Sequence, residues 1–97
     1  MNLQEHCPMH PGEFIKRVYL MPFKVDAKEL AINLQVSESI TSRILNGKAS
    51  VTPAMALKLS KVIGRSAESW LLMQDQYDLW EARQTMNLNQ YHSLKFA

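Results

Sequence analysis

Residues 27–48, AKELAINLQVSESITSRILNGK, constrain this chain more than any other stretch, because their apolar positions fit two short helices around a tight turn. On the first, Leu30, Ala31 and Leu34 share one face at the three- and four-residue spacing of a helix. Ser37 stops the chain and restarts it, since a hydroxyl there can accept from an amide two or three residues on, as an N-cap does. Ile40 and Ile44, one turn apart, are expected on the buried side of the second helix. Val36 would plug the turn, and Ala31 is small where the helices must cross. Asn46-Gly47 closes the unit, because glycine enters the left-handed conformation that ends many helices.

Glu38, Ser39, Ser42 and Arg43 are then left on the outer face, as short or forked polar groups able to exchange hydrogen bonds with base edges. The pattern resembles the helix-turn-helix of the Xre/Cro/phage-repressor family, a lambda-repressor-like, all-α fold whose second helix lies in a DNA groove. It departs from that pattern in two places. Gln35 occupies the turn position often held by glycine, and the usual hydrophobic slot before serine reads Thr41-Ser42, with Ile40 one place early. Taken alone, the stretch also fits two core-packing helices of another small helical domain.

Punctuation elsewhere predicts three more helices, five in all. His10-Pro11-Gly12-Glu13 starts the first, with proline where no bond is lost and an acid at the positive end of the dipole. Phe14, Ile15, Val18 and Leu20 form its apolar side and Pro22 ends it. Asp26, with Glu29 three residues on, approximates a capping box for the next. Thr52-Pro53 opens the fourth, whose buried face is Met55, Ala56, Leu59, Val62 and Ile63, closed by Gly64. Ser66 begins a fifth that runs to about Met86. No two segments alternate in hydrophobicity across a hairpin turn, which argues against a β-rich fold. The chain divides into an arm (1–9), a helix-turn-helix domain with a C-terminal dimerisation helix (10–86) and a tail (87–97), with room for a single modest core in 97 residues.

The net charge of +2 is unevenly spread: residues 10–65 hold nine Lys/Arg against four Asp/Glu, whereas residues 66–97 hold two against four. The basic part therefore contains the helix-turn-helix, as a phosphate-facing surface requires, although a solvated mixed-charge surface would look similar. No apolar run approaches the roughly eighteen residues of a membrane span and no signal peptide is evident. The single cysteine, Cys7, suits a reducing cytosol, so a cytoplasmic protein is expected. His6, Cys7 and His10 invite a metal reading, but a structural zinc site needs four ligands, and a plain N-terminal tail without metal or other cofactor is the expectation. An enzyme acting on a small molecule is not expected: histidines stand at 6, 10 and 92, and no carboxylate pair is placed with a base or nucleophile.

Further motifs follow in order: Met9-His10-Pro11-Gly12-Glu13-Phe14-Ile15, Leu45-Asn46-Gly47-Lys48, Val51-Thr52-Pro53-Ala54-Met55-Ala56, Ser69-Trp70-Leu71-Leu72-Met73-Gln74 and Tyr77-Asp78-Leu79-Trp80. Over about residues 9–83 the chain resembles the HigA/VapI-type antitoxins, a branch of the Xre family. The resemblance implies a sequence-specific DNA-binding antitoxin of a type II toxin–antitoxin system. Such a protein neutralises a HigB-like, ribosome-dependent mRNA endonuclease and represses its own operon as a homodimer on a palindromic operator. The alternative is a stand-alone Xre-family regulator without a toxin. Carried onto this chain, the base-reading positions are Glu38, Ser39, Ser42 and Arg43, with Ser37 beside them, and the backbone-contacting ones are Lys28 and Asn46-Gly47-Lys48. Ala27 stands where phage-type repressors often place a phosphate-bonding glutamine. Arg43 is the foremost candidate for direct readout, while Glu38 could accept from cytosine or orient Arg43.

Trp70, Met73, Tyr77 and Trp80 form a stripe at helical spacing on the fifth helix. For Trp70 a core position and a dimer contact are both open. Tyr77 and Trp80, further along, are expected in a homodimer contact, since two recognition helices must reach major grooves about 34 Å apart.

Overall fold

Every helix starts where a side chain stands ready to accept from its first turn. His10 Nδ1 accepts from the Gly12 amide, Asp26 from Glu29, Ser37 from Ile40, Thr52 from Met55 and Ser66 from Ser69. A computed structural model describes residues 7–96; the His6 part of the metal reading and residues 1–6 of the expected arm lie outside the described residues. Helix α1 covers residues 11–23, as an α-turn Pro11–Ile15, a π-helical turn Lys16–Leu20 and a last turn Met21–Phe23. Then follow α2 (Ala27–Leu34), α3 (Glu38–Leu45), α4 (Pro53–Val62), α5 (Ala67–Thr85) and a short 3-10 turn, Leu88–Gln90, with no strand among the described residues.

Pro22 does not end α1, as its sequence suggests; the helix continues to Phe23 and stops at Lys24, whose φ of 56° is left-handed. Proline offers no N–H and its ring presses on the carbonyl four residues back. The wider π turn just before it, in which the Met21 amide reaches the Lys16 carbonyl, opens that gap.

All five helices contribute to one core: Ile15 and Leu20 from α1, Leu30 and Leu34 from α2, Ile44 and Leu45 from α3, Met55, Ala56 and Leu59 from α4, Trp70 from α5, and Val51 between α3 and α4. Three apolar residues expected inside lie outside. Val18 and Val62 are exposed, and Ile40 is 48% exposed while its neighbour Thr41 is 1% exposed. Helix α3 buries Thr41, Ile44 and Leu45, a three-and-four spacing that turns Ile40 to the edge. Threonine can stand there because its hydroxyl donates to the Ser37 carbonyl, 3.1 Å away, and its methyl meets the core.

Two contacts fix α3 and the loop after it. At Gly12 the start of α1 lies on the backbone of α3: a Cβ would collide with the Ile44 carbonyl oxygen and stand 2.8 Å from the Leu45 Cα. Gln74 on α5 is 3% exposed; its Oε1 accepts from the Val51 amide at 2.9 Å and its Nε2 donates to Asp78 at 2.9 Å. Trp70 is fully buried, donates from Nε1 to the Gly64 carbonyl at 2.9 Å, and shares with Phe14 a stacked Arg65 guanidinium. It has no surface to offer another chain, so of its two open positions the core is the one it occupies.

Candidate nucleic-acid interface

The caps and core residues of α3 leave its other side to solvent. Glu38, Ser39 and Arg43 are exposed and Ser42 is half-buried at the edge of the same face. Ser37, also exposed, uses its hydroxyl to cap the helix, accepting from Ile40 at 3.1 Å. Glu38 in the first turn meets the positive end of the helix dipole. The Glu38–Arg43 pairing left open by the sequence does not form: Arg43 Nη2 donates to the Lys48 carbonyl at 3.4 Å, and the only ion pair among the described residues is Arg17–Glu13.

Past α3 the backbone curls under itself. The Gly47 amide bonds the Ile44 carbonyl, the Lys48 amide bonds the Arg43 carbonyl at 2.8 Å, and Gly47 has φ 73°. This is the left-handed closure its sequence predicts, and it puts Asn46 and Lys48 on the rim of the polar face. At the turn between α2 and α3, Gln35 itself adopts φ 58°, taking the left-handed conformation in place of the more usual glycine.

Two lysines join the rim that motif reading did not single out. Lys16 Nζ donates to Asn46 Oδ1 at 3.4 Å, and Lys16 and Lys24 line a groove of about 460 Å³ with Ala27, Ser42 and Asn46. No local sequence signal marks them; they are brought there by α1 crossing α3 at Gly12. Lys28 and Lys48 are exposed as well. Short polar groups inside a cationic rim can exchange hydrogen bonds with base edges while the rim meets phosphates.

On α5, the stripe expected at a dimer contact is divided by the fold. Met73 packs half-buried against the core. The Tyr77 ring meets His10 of its own chain edge-on, with centroids 5.1 Å apart, so the body covers it further than its position suggests. Trp80 is half-buried. The outward apolar residues of this helix are instead Leu72 and Leu79, with Met86 just beyond its last turn.

His10 is buried and its pKa lies below the ordinary value of 6.5: burial, the largest influence, outweighs the opposing pull of Asp78, the Ala49 backbone, Glu81 and Glu13. Among the described residues no group of three or more His, Cys, Asp or Glu side chains gathers as a metal site would need, and no helix is long and apolar enough to cross a membrane.

No protein-family model matches the sequence. The chain is 39% identical over 84 residues to the uncharacterised helix-turn-helix regulator YddM of Escherichia coli K12, covering 87% of this chain and 88% of that one. It is 41% identical over 76 residues to virulence-associated protein I of Dichelobacter nodosus (78% and 70% covered), and 34% identical over 83 residues to antitoxin HigA-1 of Vibrio cholerae (86% and 78%). Among solved structures it superposes on antitoxin GraA with a TM-score of 0.84 at 29% identity, covering 95% of this chain and 99% of that one. It superposes on Pseudomonas aeruginosa HigA, solved with the higBA promoter, with a TM-score of 0.81 at 28% identity (92% and 97% covered). With the α3 geometry and these likenesses together, the chain belongs to the HigA/VapI-type branch of the Xre helix-turn-helix family, whose members are regulators and antitoxins rather than enzymes.

Proposed function

We propose that this chain is a sequence-specific DNA-binding antitoxin that represses its own operon and neutralises a HigB-like toxin. The observation that carries the DNA half is the outward face of α3, where Glu38, Ser39 and Arg43 stand exposed and Ser42 lies at its edge, with Lys16 and Lys24 lining the groove beside Ser42 and Asn46. Arg43 is the base reader in this proposal, and Lys28 with Asn46, Gly47 and Lys48 holds the sugar-phosphate backbone. Ser37 contributes by fixing the start of the helix. The toxin half rests on the likeness to antitoxin HigA-1, and a cytoplasmic location accompanies both roles.

A palindromic operator calls for a symmetric dimer, with two α3 helices in successive major grooves about 34 Å apart. The outer side of α5 is the surface proposed for it, with Met73, Tyr77 and Trp80 on its flank and Leu72 and Leu79 uncovered. A stand-alone regulator is the second reading, supported by the 39% identity to a protein described only as a helix-turn-helix regulator.

The test has two arms. A gel-shift titration against the DNA upstream of the chain's own reading frame should give a site whose affinity falls steeply with salt, as counterion release demands. Co-expression with a neighbouring small reading frame should yield a stable complex and abolish that frame's toxicity. DNA binding without any toxic neighbour establishes the second reading, and the absence of salt-dependent binding overturns both.

A further inference from the structure

His10 lies outside the polar face, yet three parts of the fold meet on its ring. It caps α1 through Nδ1, which accepts from the Gly12 amide at 2.9 Å. The remaining nitrogen, which therefore carries the proton, faces the Ala49 backbone in the loop after α3. A Cβ at Gly47 would stand 3.7 Å from His10 Cγ, so the ring supports that loop at its left-handed residue. On its other side the Tyr77 ring of α5 packs against it at 84°. The side chain is 7% exposed and forms one wall of a cleft of about 420 Å³ together with Cys7, Glu13, Lys16, Asn46, Gly47 and Tyr77.

We propose that neutral His10 is a positioning residue for DNA binding, holding the Asn46–Lys48 backbone-contact loop against α1 and α5, and that protonating it lowers operator affinity. This rests on the reading above that the loop meets phosphate. An imidazolium has no lone pair for the Gly12 amide, so protonation turns an accepted bond into two facing N–H donors. The α1 cap then opens at the point where the ring also supports Gly47. The charged groups facing the ring are Glu13 on α1, Asp78 and Glu81 on α5, and Lys16 across the cleft, with the Tyr77 hydroxyl and the Cys7 thiol also near. The three carboxylates favour a proton on the ring, yet burial holds it neutral. Folding therefore favours the neutral form. The contribution is complete above the ordinary value of 6.5 and is lost as the pH falls below it toward the lower folded value.

The sign distinguishes this role from simple electrostatics. If His10 acted only through charge, acid would add a cation near DNA and tighten binding. The positioning role predicts the reverse.

The experiment measures operator affinity from pH 7.5 down to a pH at which the His10 ring NMR signal shows it protonated, at constant ionic strength, with circular dichroism confirming unchanged helicity at each point. It is run in a His6→Gln/His92→Gln background so that His10 is the only histidine titrating. Affinity should fall by about five- to tenfold, the lower end of typical coupling between linked sites. His10→Asn retains an acceptor for the Gly12 amide but cannot reach Ala49 or Tyr77. It should retain much of the melting temperature while binding operator at pH 7.5 as weakly as the parent does with His10 protonated, with a flat profile. A parent profile that is flat or rises toward acid overturns the inference, as does an Asn variant that binds like the parent. Should the Asn variant not fold, the parent profile decides alone. No operator binding at any pH instead overturns the DNA-binding reading on which the inference rests.

Discussion

At the residue scale, two glycines beside α3 are required for different reasons, and their magnitudes separate them. Gly47 needs only its positive φ of 73°; the space around it is open to 3.7 Å. An alanine there costs about 1–2 kcal/mol of left-handed strain. Gly12 is excluded by solid backbone, since any Cβ meets Ile44. Gly12→Ala must push α1 away from α3, an overpacking cost of about 1–3 kcal/mol or more. Thermal melts should therefore rank Gly12→Ala below Gly47→Ala, and operator affinity should follow the same order. Equal melting temperatures would refute the close approach at Gly12. On the outer face, Arg43→Ala should cost roughly 1–3 kcal/mol of operator affinity and relax the preference at one base position per half-site. Lys48→Ala should weaken all sequences alike and reduce the salt slope by about one. Parent-like binding by both variants would refute the assignment of readout to Arg43 and backbone contact to Lys48.

At the scale of elements, the links between helices run through side chains far apart in sequence. Gln74 reaches across 23 positions to the Val51 amide, a bond from α5 to the end of the loop after α3. Gln74→Ala should strand a buried N–H and cost about 1–3 kcal/mol. The loss should appear both in urea denaturation and as faster amide exchange at Val51; unchanged exchange would show that another acceptor replaces it. The contrast with the caps explains what could be read from the sequence. Asp26, Ser37, Thr52 and Ser66 each act on an amide three residues away, so four helix starts are legible from local chemistry, and the fifth from Pro11 at its first position. Helix α3 sits one residue out of phase with its apolar pattern, because Thr41 is buried in place of Ile40 with its hydroxyl donating to the Ser37 carbonyl. Lys16 beside Asn46, 30 positions on, and Gly12 beneath Ile44 are products of helix crossing, which no local pattern records.

At the scale of the molecule, the chain measures 54 × 31 × 23 Å. The buried residues of α5, Trp70 and Gln74, both lie in its first half. The rest presents Leu79 and then Met86, Leu88 and Tyr91 to solvent. Covering such side chains on a second copy gains about 25 cal/mol per Å² of apolar area, offset in part by association entropy. The parent should thus scatter light as twice 11.2 kDa at micromolar concentration. Leu79→Lys with Trp80→Glu should give a folded monomer that binds a full operator no better than a half-site. A parent mass of one chain would refute the dimer. The layout of α5 also bears on how long the protein survives. Its last two turns can fray without moving any core residue, so a protease finds cleavable chain there while the body stays intact. Pairing through Leu79 would shield that stretch and dissociation would expose it, so lifetime would follow concentration, with dilute protein destroyed first.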